Sequence, residues 1–349
     1  MPIRSIEQAN FKNKKALVRM DFNVELDNIA QVQEHFKLEV LKKTIDYILG
    51  FPGVKVAMLT HFGRPKGKND PHYSVAKLVP AVEQAFARKV TFVSDCIGKD
   101  VVKALDALPS GELLLLENVR FYPEEEANDE EFAKSLAKPF DIYVNEAFGV
   151  DHRNHASVTT ITKFLPAYAG LHVLEEIEKL DYIRLLPDHP AVAIIGGAKI
   201  ETKLPLIQAL EKNFDAILVG GKVANEAIDQ KIVFSEKVLL PLDFDSPLRL
   251  DIGPNTIACF IQVIKIAKTI VWNGPLGKFE EKPYDMGTNA ILHAILESQA
   301  FFVIGGGESL AVLEKTGVMD RIGFVSSGGG AMLEYLSGKK LPGIEALEA

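Results

Sequence analysis

Short apolar runs recur along the whole chain, and polar or amphipathic stretches separate them. In the first half the runs are KALVRM, VKVAMLT, KVTFVS, ELLLLENVRF and DIYVNEAF. In the second half they are AVAIIGG, AILVGG, TIVWNG, FFVIGGG and GFVSSGGG. Stretches of helical period lie between them at Leu38–Leu49, Ser74–Arg88, Asp129–Leu136, Glu201–Lys212 and Asn289–Ser298. Strand-length runs alternating with helices predict βαβ units and an α/β fold with parallel sheets.

Such sheets bind ligands outside the carboxyl ends of their strands, so the residues just after each run carry the functional signal. In the first half these are Arg19, Asp21 and Asn23, then His61 and Arg64, then Arg120, then His152, Arg153 and His155. In the second half they are glycines: Gly196-Gly197, Gly220-Gly221, Gly274, Gly305–Gly307 and Gly328–Gly330. A basic half is thus followed by a glycine half. The junction is read near Pro166–Gly170, before the polar helical stretch Leu171–Leu186. The run Glu124-Glu125-Glu126 reads as a solvated loop.

Length and composition narrow the class. A chain of 349 residues exceeds one ordinary core, so two domains are expected. A formal charge of −8 speaks against nucleic acid or an anionic membrane as partner. Cys96 and Cys259 lack zinc or CxxC spacing and read as buried apolar side chains, which fits a reducing compartment. The N-terminal MPIRSIEQANFKNKK has no apolar signal region, and no run is long enough to span a bilayer. The expectation is a soluble cytoplasmic protein.

Glycines between a strand and a helix let backbone N–H groups approach a phosphate at the positive end of the helix dipole. Neither GxxxxGK[ST] nor a GxGxxG after the first strand occurs, which excludes a P-loop and removes the main support for a dinucleotide oxidoreductase. Lys199 in GGAK and Lys203 one turn later are expected on one helix face, a spacing suited to a transferring phosphate. In the first half, arginine is the side chain best shaped for phosphate and carboxylate, so Arg153 is favoured over His152 and His155. No Ser–His–Asp set and no HExxH is present. Anion-binding groups in both halves fit phosphoryl transfer, which asks for positioning and charge stabilisation, not for a covalent nucleophile.

The motifs RMDFNVEL, LTHFGRPKG, LLENVRFYPEEEAND, VNEAFGVDHRNHAS, FLPAYAGL, IIGGAK, DIGPNT, VWNGPLGKFE, VIGGGES and SSGGGAMLEYLSGKKLPGIEAL resemble those of phosphoglycerate kinases, in that family's order from end to end. The resemblance implies two Rossmann-like lobes with parallel sheets flanked by helices, joined by an interdomain helix. Residues 1–170 with 334–349 would bind 3-phosphoglycerate, 171–186 would form the helix, and 187–333 would bind nucleotide. The resemblance further implies a monomer that transfers the acyl phosphate of 1,3-bisphosphoglycerate to ADP, giving ATP, with Mg²⁺. By motif match, Asp21, Phe22, Asn23, Lys37, His61, Phe62, Gly63, Arg64, Arg120 and Arg153 would hold the acid. Gly197, Lys203, Gly220, Gly221, Asn273, Pro275, Glu280, Gly306, Gly307, Glu308 and Ser309 would hold the nucleotide. Lys37, Lys199, Gly306 and Gly329 would act at the transferring group, and Glu308 would bind the metal.

The chain also departs from the family pattern. Lys37 stands where the family has an arginine, and Glu308 where the metal-binding residue is Asp. Glu146 replaces an Asp, Val150-Asp151 replaces Thr-Ala, Thr202 replaces an Asp, and Lys222 stands at an expected glycine. The stretch from about 228 to 250 is short for the family. Two readings follow: a working kinase with retuned nucleotide and metal preference, or a weakly active member that binds a ligand or partner.

Overall fold

The computed structural model describes residues 2–22, 36–318 and 321–348, excepting the side chains of Glu308, Glu314 and Lys315. Two compact units result, Met1–Glu176 with Lys340–Ala349, and Ile177–Lys339. Among the described residues no helix is long and apolar enough to cross a membrane.

The first unit is built on a parallel sheet of β1 (Lys15–Met20), β2 (Lys55–Leu59), β3 (Val90–Val93), β4 (Leu113–Leu116), β5 (Ile142–Glu146) and β6 (Ala167–Ala169), in the order β3-β4-β2-β1-β5-β6. The central strands are buried along nearly their whole length, because helices cover both faces, and they therefore read as continuous apolar runs. One face packs Val18, Met20, Val56, Met58 and Leu115 against Ile45, Ile48 and Phe86. The second unit holds β7 (Ala191–Ile195), β8 (Ala216–Val219), β9 (Val238–Leu239), β10 (Thr269–Asn273), β11 (Phe301–Gly305) and β12 (Phe324–Ser326), in the order β12-β11-β10-β7-β8-β9 and again parallel. In each sheet the later strands are added on the other side of the first strand, which puts switch points between β1 and β5 and between β7 and β10. Crevices at such switch points are where open α/β sheets bind ligands.

Four expectations change. PAYAG, read as the junction, supplies edge strand β6, with Tyr168 opposite Val144. The helix predicted over Leu38–Leu49 is two pieces, Phe36–Glu39 and Lys42–Leu49. Glu125, read as solvated, is fully buried: its carboxylate accepts from Ser157 N (2.8 Å) and Ser157 Oγ (2.6 Å). Of the two cysteines, Cys96 is buried and Cys259 is only partly so.

The helix Leu171–Leu185 starts in the first unit, and the division between units falls within it. Its first free N–H groups need partners. Glu146 supplies them from the end of β5, accepting from His172 N (3.1 Å) and Val173 N (3.2 Å), while Thr44 Oγ1 donates to the same carboxylate. Gly170 allows this approach, since a Cβ there would meet Glu146 Oε2 at 2.0 Å.

Candidate active site

At the carboxyl ends of the central strands of the first sheet, Asp21, His61, Gly63, Arg64, Arg120 and Arg153 line one pocket of about 180 Å³. The sequence spreads these residues over most of the unit, and the parallel topology brings them together. Arg120 is anchored by Nη1 donating to Gly63 O (2.9 Å) and by an ion pair with Glu126 at 3.4 Å. Two other expected residues serve differently. Phe22 is a core residue, its ring 6.1 Å from that of Phe86 and its N–H donating to Thr60 Oγ1. Phe62 packs partly against the same core. Lys37 sits half-buried on the helix Phe36–Glu39 and is not among the residues lining the pocket. Asn23 lies outside the described residues.

The pocket is strongly electropositive. Burial and the neighbouring Arg19 and Arg153 push the Arg120 guanidinium down to about 10, still charged at neutral pH. Burial, then Arg120, Arg19 and Arg153, push His155 down to about 3. His61 is held well below the ordinary histidine value by burial first and then by Arg19, Arg120 and Arg153. Arg120 Nη2 and Arg153 Nε are buried and make no hydrogen bond within the described residues. A buried guanidinium N–H without an acceptor is costly, and an anion with several oxygens satisfies such donors.

The second unit carries the glycine turns. Gly196 N donates to Asn273 O (2.8 Å), Gly197 N to Pro275 O (2.7 Å), and Gly221 N to Leu276 O (2.8 Å). These contacts knit the turns after β7, β8 and β10 into one floor. Gly196 is required there: a Cβ would lie 2.1 Å from Pro275 O and 2.6 Å from Gly274 O, both backbone. Gly196→Ala is therefore expected to lower stability by about 1–3 kcal/mol, read by urea unfolding.

Lys203 is buried and donates to Asn273 Oδ1, and Asn273 Nδ2 donates to Gly305 O (2.6 Å). Ser309 Oγ accepts from Gly274 N (2.7 Å). A Cβ on Gly329 would meet Gly306 Cα at 2.8 Å, so the turns after β11 and β12 also touch. Gly307 and Glu308 open the helix Gly307–Thr316. The two lysines do not share one setting. Lys203 is inside the helix Ile200–Leu210, whereas Lys199 is its exposed N-cap at φ 67° and ψ 93°. The cap hydrogen bond comes from elsewhere, with Glu226 Oε2 accepting from Ile200 N (2.7 Å).

A pocket of about 440 Å³ lies beside this floor, lined by Gly197, Gly221, Pro275 and Glu280. Lys222, Asn225, Glu226 and Asp229, one face of the helix Gly221–Asp229, form a second wall. Sequence reasoning missed that wall beyond Lys222, although the i, i+4 spacing from Gly221 was available to find it. Leu248, Arg249 and Leu250 close a third side. Arg249 Nη2 reaches both oxygens of Asp229 (2.8 and 3.0 Å), and its carbonyl accepts from Asn225 Nδ2 (2.9 Å). These groups come from the end of the short stretch, which no motif marked.

The sequence profile of the phosphoglycerate kinase family matches residues 6–240 and 241–339. Phosphoglycerate kinase of Leptospira biflexa is 37% identical over 392 aligned positions, covering 99% of this chain and 98% of that protein. That of Geobacter metallireducens is 38% identical over 395 positions, covering 100% and 99%. Both alignments are longer than this chain, so they carry gaps on its side, and the break in the profile match at 240 falls within the stretch that reads as short. The structure of phosphoglycerate kinase from Coxiella burnetii superposes with a TM-score of 0.84 at 31% identity, covering 99% of each chain. That from Pyrococcus horikoshii gives 0.88 at 28% identity, covering 99% of this chain and 98% of the other. With two six-stranded parallel sheets, the pocket residues described and these full-length matches, the chain belongs to the phosphoglycerate kinase family of phosphotransferases acting on a carboxyl acceptor.

Proposed function

We propose that this chain transfers the acyl phosphate of 1,3-bisphosphoglycerate reversibly to ADP, giving 3-phosphoglycerate and ATP. The first unit binds the acid and the second binds the nucleotide. The observation that carries the assignment of the acid site is the pair of buried, unmatched donors on Arg120 and Arg153. A phosphate or carboxylate there accepts from both guanidinium groups, and His61 and Arg64 add further donors at the rim.

On the nucleotide side, Glu280 accepts from ribose hydroxyls, and the N–H groups of Gly306 and Gly307 meet phosphate at a helix N-terminus. Lys199 follows the negative charge of the moving phosphoryl group, and Lys203 is braced by Asn273 for the same purpose. Because the donor and acceptor carry all the reacting bonds, the protein's task is to align them and exclude water. Among the described residues no three carboxylate, imidazole or thiol groups converge. Nucleotide phosphates and water would hold a Mg²⁺, with Glu308, whose side chain lies outside the described residues, as the protein carboxylate that the family resemblance implies. Bound Mg²⁺ supplies charge neutralisation between the phosphates.

The experiment is a coupled assay of ATP formation from 1,3-bisphosphoglycerate, run with ADP and GDP and with Mg²⁺ and Mn²⁺. Metal-dependent turnover is expected. Ligand binding without turnover supports the reading of this chain as a binding protein.

A further inference from the structure

We propose that Arg19 is a positioning residue that holds His61 as its Nε2–H tautomer, so that the imidazole serves the acid site as a hydrogen-bond donor. Arg19 is fully buried at the end of β1, opposite Leu59 and Asn145 in the sheet. Its Nη2 lies 3.3 Å from His61 Nδ1. A guanidinium has only donors, so in this contact Nδ1 is the acceptor and carries no proton. The ring proton then sits on Nε2, the opposite edge of a ring that lines the pocket.

Arg19 is itself fixed. Nη1 donates to Met20 O, and Nε donates to Ser157 Oγ (2.9 Å). Ser157 is held in turn by buried Glu125, through Oγ (2.6 Å) and N (2.8 Å). Three arginines surround the imidazole, namely Arg19, Arg120 and Arg153, together with His155, and all oppose a second ring proton. Asp21 Oδ1 lies 3.8 Å from the same Nδ1 and is the acidic group that favours a proton there, but it is beyond hydrogen-bond reach and farther away than Arg19 Nη2. Burial is the larger cause and the arginines add to it, so His61 stays neutral through the physiological range. A neutral donor keeps the charge of the site independent of pH, which an imidazolium would not.

The consequence for the bound acid rests on the proposed function, but the tautomer does not. ¹⁵N-histidine spectra of the full chain, with His61 assigned by its loss in His61→Gln, read the tautomer directly. The expected result is a protonated Nε2, a bare Nδ1, and no titration between about pH 5.5 and about pH 8. An Nδ1–H signal or an imidazolium at neutral pH overturns the proposal. In Arg19→Met the Nδ1–H form should appear, and kcat/KM for 3-phosphoglycerate should fall by about tenfold or more. If that variant does not fold, Ser157→Ala should produce the same changes in smaller measure. An unchanged tautomer in a folded variant also overturns the proposal. Loss of 3-phosphoglycerate binding by the unaltered chain with Nε2–H intact would instead sink the functional reading and keep the positioning role.

Discussion

Lys199→Gly is expected to lower turnover by about 10²–10³-fold, as removal of one charge-stabilising donor does elsewhere, while making the second unit more stable. The two effects have separate causes. The ammonium belongs to the exposed N-cap residue of the helix Ile200–Leu210, where the proposed function puts the transferring phosphoryl group. The backbone at Lys199 stands at φ 67°, a region that costs a side-chain-bearing residue about 1–3 kcal/mol and that glycine enters freely. Glycine gives back part of that gain through the greater entropy of its unfolded chain, so the expected net change is about 0.5–1 kcal/mol. Lys199→Ala separates the terms, since it removes the cation and keeps the strain. Initial rates and urea midpoints on the two variants check both. A Gly variant less stable than the Ala variant would show that the backbone there is unstrained.

Asp151→Asn is expected to change the pH dependence of stability by several kcal/mol. Asp151 is one of the departures from the family pattern, and it is fully buried. Its Oδ1 accepts from Asn145 Nδ2 (2.7 Å), and its Oδ2 finds no hydrogen bond within the described residues. The returning C-terminal segment packs against it, with Gly343 N donating to Asp151 O (2.9 Å). Burial pushes the carboxyl up to about 8, against the hydrogen bond from Asn145 and the charge of Arg19. Unfolded, the same group titrates near about 3.9. Below both values the folded and unfolded chains carry the proton alike. As pH rises between them the unfolded chain releases it and the folded chain does not. Stability is therefore lost as pH rises, by about 1.4 kcal/mol per unit, until the folded group itself ionises. Asn keeps the acceptor for Asn145 and does not titrate. Urea unfolding of both proteins at about pH 5 and about pH 7.5 should show the variant gaining about 3 kcal/mol relative to the parent over that interval. Parallel behaviour of the two would place Asp151 in a solvated or charge-paired setting.

Much of this fold is legible in the sequence because its strands are buried on both faces. KALVRM and TIVWN announce themselves as continuous apolar runs, and βαβ alternation then leaves little choice but parallel sheets. The edge strands Ala167–Ala169 and Val238–Leu239 are too short to show a period, and the first is hidden by the Pro and Gly that flank it. The post-strand rule also locates His61, Arg120 and Arg153, because the end of a strand is a local property. What stays illegible is set by distant partners. Glu125 looks like one of three solvated acids, and only Ser157, far along the chain, explains its burial. Arg19 reads as a residue just past the first strand, whereas it lies within that strand, surrounded by Ser157, His61 and the Met20 carbonyl. Likewise Arg249 becomes a pocket residue through a loop whose path no local pattern predicts.

Transfer to a carboxyl oxygen is the central claim, and trapping of the acyl phosphate tests it most directly. The chain is mixed with ATP, Mg²⁺, 3-phosphoglycerate and hydroxylamine, which converts an acyl phosphate to a hydroxamate. The account predicts hydroxamate at a rate proportional to enzyme, matched to ADP formed, and lost in Lys199→Gly. ADP formed without hydroxamate, or no ADP at all while both substrates bind, would contradict it.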